Sequence, residues 1–186
     1  MIERLQEICD SAGVYEYGIV DPHDVEFRDD IRAMCEENKC HSYDKSWACP
    51  PAIGTVDECR KRAQSYDKML VYSRKFELED SYDFEGMGEA MLGFKGMSDR
   101  LREGLQPIFK DFIILSNEGC GRCKGKVSKE CTYPDAPCRF PEEVYGSVEG
   151  YGIWVSQLAQ QAGIKYNNGK DTVTFFGAVL FNDADK

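Results

Sequence analysis

Eight of the nine cysteines in this 186-residue chain fall into two spaced sets. The first is Cys35-x4-Cys40-x8-Cys49-x9-Cys59, and the second is Cys120-x2-Cys123-x7-Cys131-x6-Cys138. The 60 residues from Arg60 to Gly119 lie between them. Disulfides are disfavoured in a reducing compartment, and an odd cysteine count argues against a closed disulfide framework. Thiolates in groups are soft metal ligands. A fold for this chain therefore has to present cysteines together, and the expectation is a cysteine-ligated metal centre.

The reducing compartment is itself an expectation. The opening residues, Met-Ile-Glu-Arg-Leu-Gln-Glu-Ile, are charged and amphipathic. They lack the apolar run and small-residue cleavage site of a signal peptide. The longest apolar stretch, Thr174 to Phe181, is too short to span a bilayer. These features predict a cytoplasmic protein without a membrane role.

The Cys120-x2-Cys123 pair is the sharper signal. Two thiolates at that spacing bite one metal or two corners of one cluster. Gly121 between them allows a tight turn that aims amide N–H groups at sulfur. Pro134, Pro137 and Pro141 stiffen the chain around Cys131 and Cys138. In the first set, Cys40 and Cys49 share a loop with Trp47 and the pair Pro50-Pro51. That mixture shields a soft centre from water. Cys35 and Cys59 sit on apolar faces of expected helices, Cys59 beside Val56 and Ala63, so ligation and core packing compete there. Cys9 has apolar helical neighbours and reads as core.

Thiolates suit zinc and iron–sulfur clusters alike. Structural zinc commonly takes two short cysteine pairs or adds histidines. Here one short pair occurs, and the histidines are His23 and His41. His41, directly after Cys40, would complete a Cys3His zinc site, although a solvated ring is the simpler reading. A cluster has separate corners and accepts one short pair with distant partners. The balance favours one or two iron–sulfur clusters of the 4Fe-4S type, with zinc as the alternative. Arg122, Lys124, Lys126, Lys129 and Arg139 make the second loop a basic island. Cations there would stabilise a negative cluster, while a solvated loop is the simpler reading of each lysine.

Along the chain, residues 2–12 place Leu5, Ile8, Cys9 and Ala12 on one helical face, and Gly13 ends it. Val14 to Val20 alternates as a strand, and 29–38 returns to helical spacing. Lys39 to Gly54 is a loop. Thr55-Val-Asp-Glu58 is a capping box that opens a helix to about Tyr66. Lys68 to Leu78 alternates as a strand. A glycine-weakened helix is expected from Gly88 to Phe109, ended near Pro107. Phe112 to Leu115 is a short apolar strand, and 117–141 is a Gly-, Cys- and Pro-rich loop. Ser147 to Ala162 carries Val148, Tyr151, Val155, Leu158 and Ala162 at helical spacing, and Thr172 to Phe181 is the last strand. The alternation predicts an α/β or α+β fold. We expect a single domain over 1–186, with roughly four strands, flanking helices and cysteine-bearing segments 35–59 and 117–141.

Two stretches also resemble known signatures. Met34-Cys35-Glu-Glu-Asn38-Lys-Cys40-His-Ser-Tyr43-Asp-Lys-Ser-Trp47-Ala-Cys49-Pro50-Pro51 is similar to the first signature of an uncharacterised family of predicted metal-binding proteins. Glu118-Gly-Cys120-Gly-Arg-Cys123, followed by Cys131-Thr-Tyr133-Pro134-Asp-Ala-Pro137-Cys138-Arg139-Phe140-Pro141, is similar to its second. The following helix and the Thr172–Gly177 stretch also match, so the resemblance covers nearly the whole chain. It implies a metal-binding protein of a kind found mainly in anaerobic microbes, with no defined activity. The chain departs from the family pattern in one place. Seven residues, Lys124 to Glu130, separate Cys123 from Cys131, where the resemblance implies two.

Charge narrows the function. The formal net charge is −10, from 33 acidic and 23 basic residues. Such a surface repels phosphate backbones and argues against nucleic acid as a partner. No Gly-x-Gly-x-x-Gly, P-loop or Gly-x-Ser-x-Gly motif occurs. The leading expectation is an electron-transfer module or redox accessory that serves a partner protein. A second is an iron–sulfur oxidoreductase with its own substrate, for which Tyr43, Trp47, Glu149 and Tyr151 are the candidate contacts. Each has a plain structural reading, namely aromatic packing or, for Glu149, an acid at a helix N-terminus. A third is a structural zinc protein that mediates interactions. No oligomeric state is indicated.

Overall fold

Apolar, β-branched and aromatic side chains make Lys68–Glu77 and Thr172–Phe181 two long strands. They pair antiparallel over their whole length, from Lys68 opposite Phe181 to Glu77 opposite Thr172. The computed structural model describes residues 2–117 and 119–183. Glu118, which opens the second signature, lies outside the described residues.

In chain order the elements are α1 (Ile2–Ala12), β1 (Glu16–Val20), α2 (Asp29–Glu36), α3 (Val56–Ala63), β2 (Lys68–Glu77), α4 (Phe84–Leu105), β3 (Phe112–Ser116), α5 (Arg122–Val127), β4 (Gly146–Ser147), α6 (Val155–Gln161) and β5 (Thr172–Phe181). Short 3-10 turns occupy Pro141–Glu143 and Glu149–Tyr151. The sheet order is β1-β2-β5-β3-β4. β1 on β2, β2 on β5 and β5 on β3 are antiparallel, and only β4 runs parallel to its neighbour β3. This mainly antiparallel sheet selects the α+β branch of the expected fold. The fifth strand, beyond the roughly four expected, is the two-residue β4, too short to leave a pattern in sequence.

The central strands are buried on both faces, and the two-residue period sorts their side chains. Met69 and Val71 of β2, with Phe176, Ala178 and Leu180 of β5, face a core that includes Cys59 and Ala63 of α3 and Leu158 and Ala159 of α6. Leu70 and Tyr72, with Val179 and Phe181, face a second core against Leu5, Cys9 and Ala12 of α1 and Phe94, Met97 and Leu101 of α4. Helices thus cover both faces, and full burial of each large apolar side chain stabilises by about 1.5–3 kcal/mol. Among the described residues no helix is long and apolar enough to cross a membrane.

Three elements differ from expectation. α4 starts four residues before Gly88, at Phe84, because the Asp83 side chain accepts the Gly86 N–H at 2.8 Å and caps the helix. The 117–141 loop contains the short α5. The expected helix over 147–162 is broken into the Glu149–Tyr151 turn and α6. Gly152 is the break: its φ is +81°, and a Cβ there would lie 2.7 Å from the Arg28 carbonyl oxygen. The Gly152 carbonyl instead accepts the Arg28 N–H at 2.7 Å. Val148, Tyr151 and Leu158 are still buried, so the apolar stripe survives without a continuous helix.

Candidate metal centre

The first cysteine loop follows α2. Asn38, His41 and Asp44 have positive φ, which folds the loop back on itself. The Asp44 N–H donates to the Pro50 carbonyl at 2.8 Å, and the Tyr43 N–H to the Asn38 side-chain oxygen at 3.1 Å. The fold brings Cys35, half-buried at the end of α2, together with exposed Cys40 and buried Cys49. A cavity of about 400 Å³ lies between them, and Glu149 and Ser147 also line it. Arg32 holds this wall in place. Its guanidinium donates to the Gly150 carbonyl at 2.6 Å and to the Gly54 carbonyl at 2.8 Å, joining the Glu149–Tyr151 turn to the end of the loop. The Ser147 N–H donates to the Ala48 carbonyl at 3.0 Å, a second tie beside Cys49.

The second set is built on α5. Cys123 is buried in the first turn of that helix, and Cys120, Cys131 and Cys138 are half-buried around it. The seven residues between Cys123 and Cys131 complete α5 and turn through left-handed Ser128, which returns the chain to Cys131. Two backbone N–H groups reach sulfur: Tyr133 to Cys131 at 3.5 Å and Phe140 to Cys138 at 3.4 Å. Such donors stabilise thiolate over thiol. Burial raises the Cys138 pKa, the Phe140 N–H lowers it, and the charges of Cys120, Cys123 and Cys131 raise it again. Cys120, Cys123 and Cys131 therefore all lie within electrostatic reach of Cys138.

The basic island is largely spoken for. Arg122 is buried and makes a two-pronged bond to Asp99 of α4, at 2.6 Å for its Nη1, while its Nε donates to the Glu143 carbonyl at 3.1 Å. The Tyr145 hydroxyl donates to the same Asp99 carboxylate at 2.6 Å. Lys126 donates to Glu143 at 2.6 Å, and Arg139 donates to the Glu130 carbonyl at 2.8 Å. Arg122 thus anchors the loop and is not free to compensate a cluster, whereas Lys124 and Lys129 are exposed, as solvated lysines are.

The two loops meet. The Tyr133 hydroxyl donates to Asp44 at 2.7 Å, and the Tyr133 and Trp47 rings pack edge to face at 5.0 Å. Gly119 joins the first loop's cavity wall. Burial pushes the Cys49 thiol up to about 11, and the charges of Cys40, Cys35 and Cys120 act in the same direction. Cys49 and Cys120 are therefore electrostatic neighbours across the two sets. A bound cation would offset this burial and favour the Cys49 thiolate.

Cys59 is placed elsewhere. It is fully buried in the α3 face of the core, its Sγ donating to the Ile53 carbonyl at 3.4 Å, and it is not among the described residues lining the cavity. Cys9 is also fully buried, in the α1–α4 core, and burial pushes its thiol up to about 12. His41 is exposed, and exposed His23 contacts Asp21 at 3.1 Å. Tyr151 packs in the core and its hydroxyl accepts from Arg62 at 2.9 Å, whereas Tyr43 lines the cavity. Glu149 is not a first-turn acid of α6, which starts at Val155. Burial raises its carboxyl pKa. Arg32 and the Asp44–Tyr133 bond carried no signal in sequence, since their partners lie far along the chain.

The donor set fits a soft metal group. All nine cysteines are free thiols. The indole N–H of Trp47 and the Thr132 hydroxyl are buried without an acceptor among the described residues, and in the chain Trp47 precedes Cys49 by two positions and Thr132 follows Cys131. A thiolate or sulfide would accept from them. Among the described residues, no group of three or more His, Cys, Asp or Glu side chains stands close enough to hold a single metal ion.

A family model described as "Predicted metal-binding protein (DUF2284)" matches residues 18–181. No curated protein and no solved structure matches the chain significantly.

Proposed function

Because the chain belongs to the DUF2284 family of predicted metal-binding proteins, we propose that its metal is iron–sulfur, held in two neighbouring sites, and that it passes electrons to a partner protein. The observation that carries this reading is the meeting of the two cysteine loops: Tyr133 of the second bonds to Asp44 and packs on Trp47 of the first, and Gly119 joins the cavity that Cys35, Cys40 and Cys49 line. A single tetrahedral zinc at 2.3 Å from each sulfur would draw the sulfurs to about 3.8 Å from one another. Thiols spaced around a cavity suit the separate corners of a larger cluster better. When bound, such a cluster takes up and gives back single electrons.

The chain's own residues do the rest. The Tyr133 N–H donates to Cys131, and the Phe140 N–H donates to Cys138 and partly offsets the burial that raises that thiol's pKa. The Trp47 and Tyr133 rings pack where the loops meet, and prolines 134 and 137 stiffen the outer turn. The Tyr133–Asp44 bond and the Tyr133–Trp47 packing hold the two cysteine loops against one another, which keeps the two sites neighbours. Exposed Met34 and Met91 line the first cavity and offer an apolar contact for a partner, and the net charge of −10 would steer a basic one.

Anaerobic purification with iron, sulfide and zinc analysis tests the reading. Matching iron and sulfide contents, with broad visible absorption that bleaches on reduction, are expected. A colourless protein with stoichiometric zinc would overturn it.

A further inference from the structure

The first set is one thiolate short. Cys35, Cys40 and Cys49 line the cavity, and the fourth cysteine of that set, Cys59, is fully buried in the core with its Sγ donating to the Ile53 carbonyl. We propose that Glu149 supplies the missing ligand, so that Cys35, Cys40, Cys49 and Glu149 form one site and Cys120, Cys123, Cys131 and Cys138 the other. The proposal rests on the iron–sulfur reading above and deepens it.

Geometry singles out Glu149 among the acids and histidines nearby. Its side chain lines the same cavity as the three thiols. Its carboxyl oxygen accepts from the Ser147 hydroxyl at a long 3.4 Å, which leaves lone pairs for a cation. Glu37 also lines the cavity, but it is exposed and ion-paired with Lys39. His41 is exposed and is not among the described lining residues. The turn carrying Glu149 is built to hold still. Arg32 binds the next carbonyl, that of Gly150, and the Gly150 N–H donates to the Ser147 hydroxyl at 3.0 Å. Such outer contacts are what orient a ligand.

The donor set has a chemical consequence. Three thiolates and a carboxylate carry the same charge as four thiolates, so the site still matches a cationic group. A carboxylate is a harder donor than a thiolate and holds iron less firmly. The Glu149 site is therefore the one with an exchangeable corner, while the all-cysteine site is closed.

The test uses anaerobically loaded wild-type protein and the variants Glu149→Cys and Glu149→Gln. Both replacements are close to glutamate in size or smaller, and circular dichroism checks that each folds. The protein is exposed briefly to ferricyanide with an iron chelator. In wild type, one electron passes to ferricyanide and about one Fe2+ per chain enters the chelator, with the remaining iron retained. Release should stop in Glu149→Cys and run several-fold faster in Glu149→Gln, and a three-iron paramagnetic signal should follow the released metal. Wild-type protein that carries iron and loses none, or variants that lose it at the wild-type rate, would overturn the assignment of Glu149 and leave the iron–sulfur reading standing. Wild-type protein that carries no iron would overturn both.

Discussion

Arg122 is the side chain on which the second cysteine loop is hung, and its removal has a calculable effect. Its side chain is 8% exposed and that of its partner Asp99 is 28% exposed. Removing one partner of a fully buried pair costs about 3–5 kcal/mol. Asp99 retains some access to water and still accepts from Tyr145 at 2.6 Å. For Arg122→Leu we therefore expect a loss of about 2–3 kcal/mol. In a chain of this length each kcal/mol lowers Tm by about 2–4 °C, so thermal unfolding of the metal-free protein should shift down by about 4–12 °C. Arg122→Lys keeps the charge without the fork and should lose about half as much. The triple variant Arg122→Leu/Asp99→Leu/Tyr145→Phe should recover part of the loss, because neither the Asp99 charge nor the Tyr145 hydroxyl is left stranded. Burial alone would raise the Asp99 carboxyl, but hydrogen bonds from Arg122 and Tyr145 outweigh it and hold the pKa below the usual carboxylate range. The stabilisation is then complete above about pH 4 and is lost as the pH falls further, through the folded-state value. The Tm gap between wild type and Arg122→Leu should accordingly narrow below that pH. A single variant within 2 °C of wild type (about 1 kcal/mol or less), or a triple variant no better than the single, would refute the anchoring role.

Three further outcomes separate ligands from scaffold. Cys59→Ala should cost about 1–2 kcal/mol in denaturant titration, from a small cavity in the core, and leave the metal content unchanged. Loss of metal in that variant would return Cys59 to the ligand set. Gly152→Ala should destabilise by about 1–3 kcal/mol, since alanine is strained at φ +81° and would press on the Arg28 carbonyl. An unchanged melt would show that the break before α6 is not fixed by this residue. Tyr133→Phe removes the bond to Asp44 between the two loops and should cost about 1 kcal/mol with protection of the Asp44 region reduced in hydrogen exchange. Unaltered exchange there would show that the loops are not tied through this pair.

Local chemistry carried the parts of the structure that were legible in sequence. Thr55 and Glu58 close the capping box at 3.3 and 2.7 Å, and α3 starts where that motif places it. The alternating runs became β2 and β5, because a two-residue period survives any tertiary context that buries both faces. Leu5, Cys9 and Ala12 line the buried face of α1, as their spacing requires. Non-local events were not legible. Asp44 and Tyr133 are 89 positions apart, and nothing in either neighbourhood announces that they bond. Val56, Cys59 and Ala63 share one face of α3, and a buried thiol looks the same in sequence whether it packs or ligates. Val148 to Ala162 kept its apolar stripe although Gly152 breaks the helix, so the periodicity pointed to the right buried residues and the wrong backbone. Glu149 stood out in sequence as a substrate contact or a helix-end acid and not as a lining residue of a cysteine cavity, because the cysteines it joins lie about 100 positions away.

Two neighbouring sites, one on each cysteine set, should lose their metal one at a time. Cys49→Ala and Cys138→Ala are purified without oxygen, and iron and sulfide are counted against wild type. Wild type should hold about eight iron per chain and each variant about half of that, with cluster absorption persisting in both. If Cys49→Ala keeps all of the metal while Cys138→Ala loses all of it, the chain has one site and the two-site account is wrong.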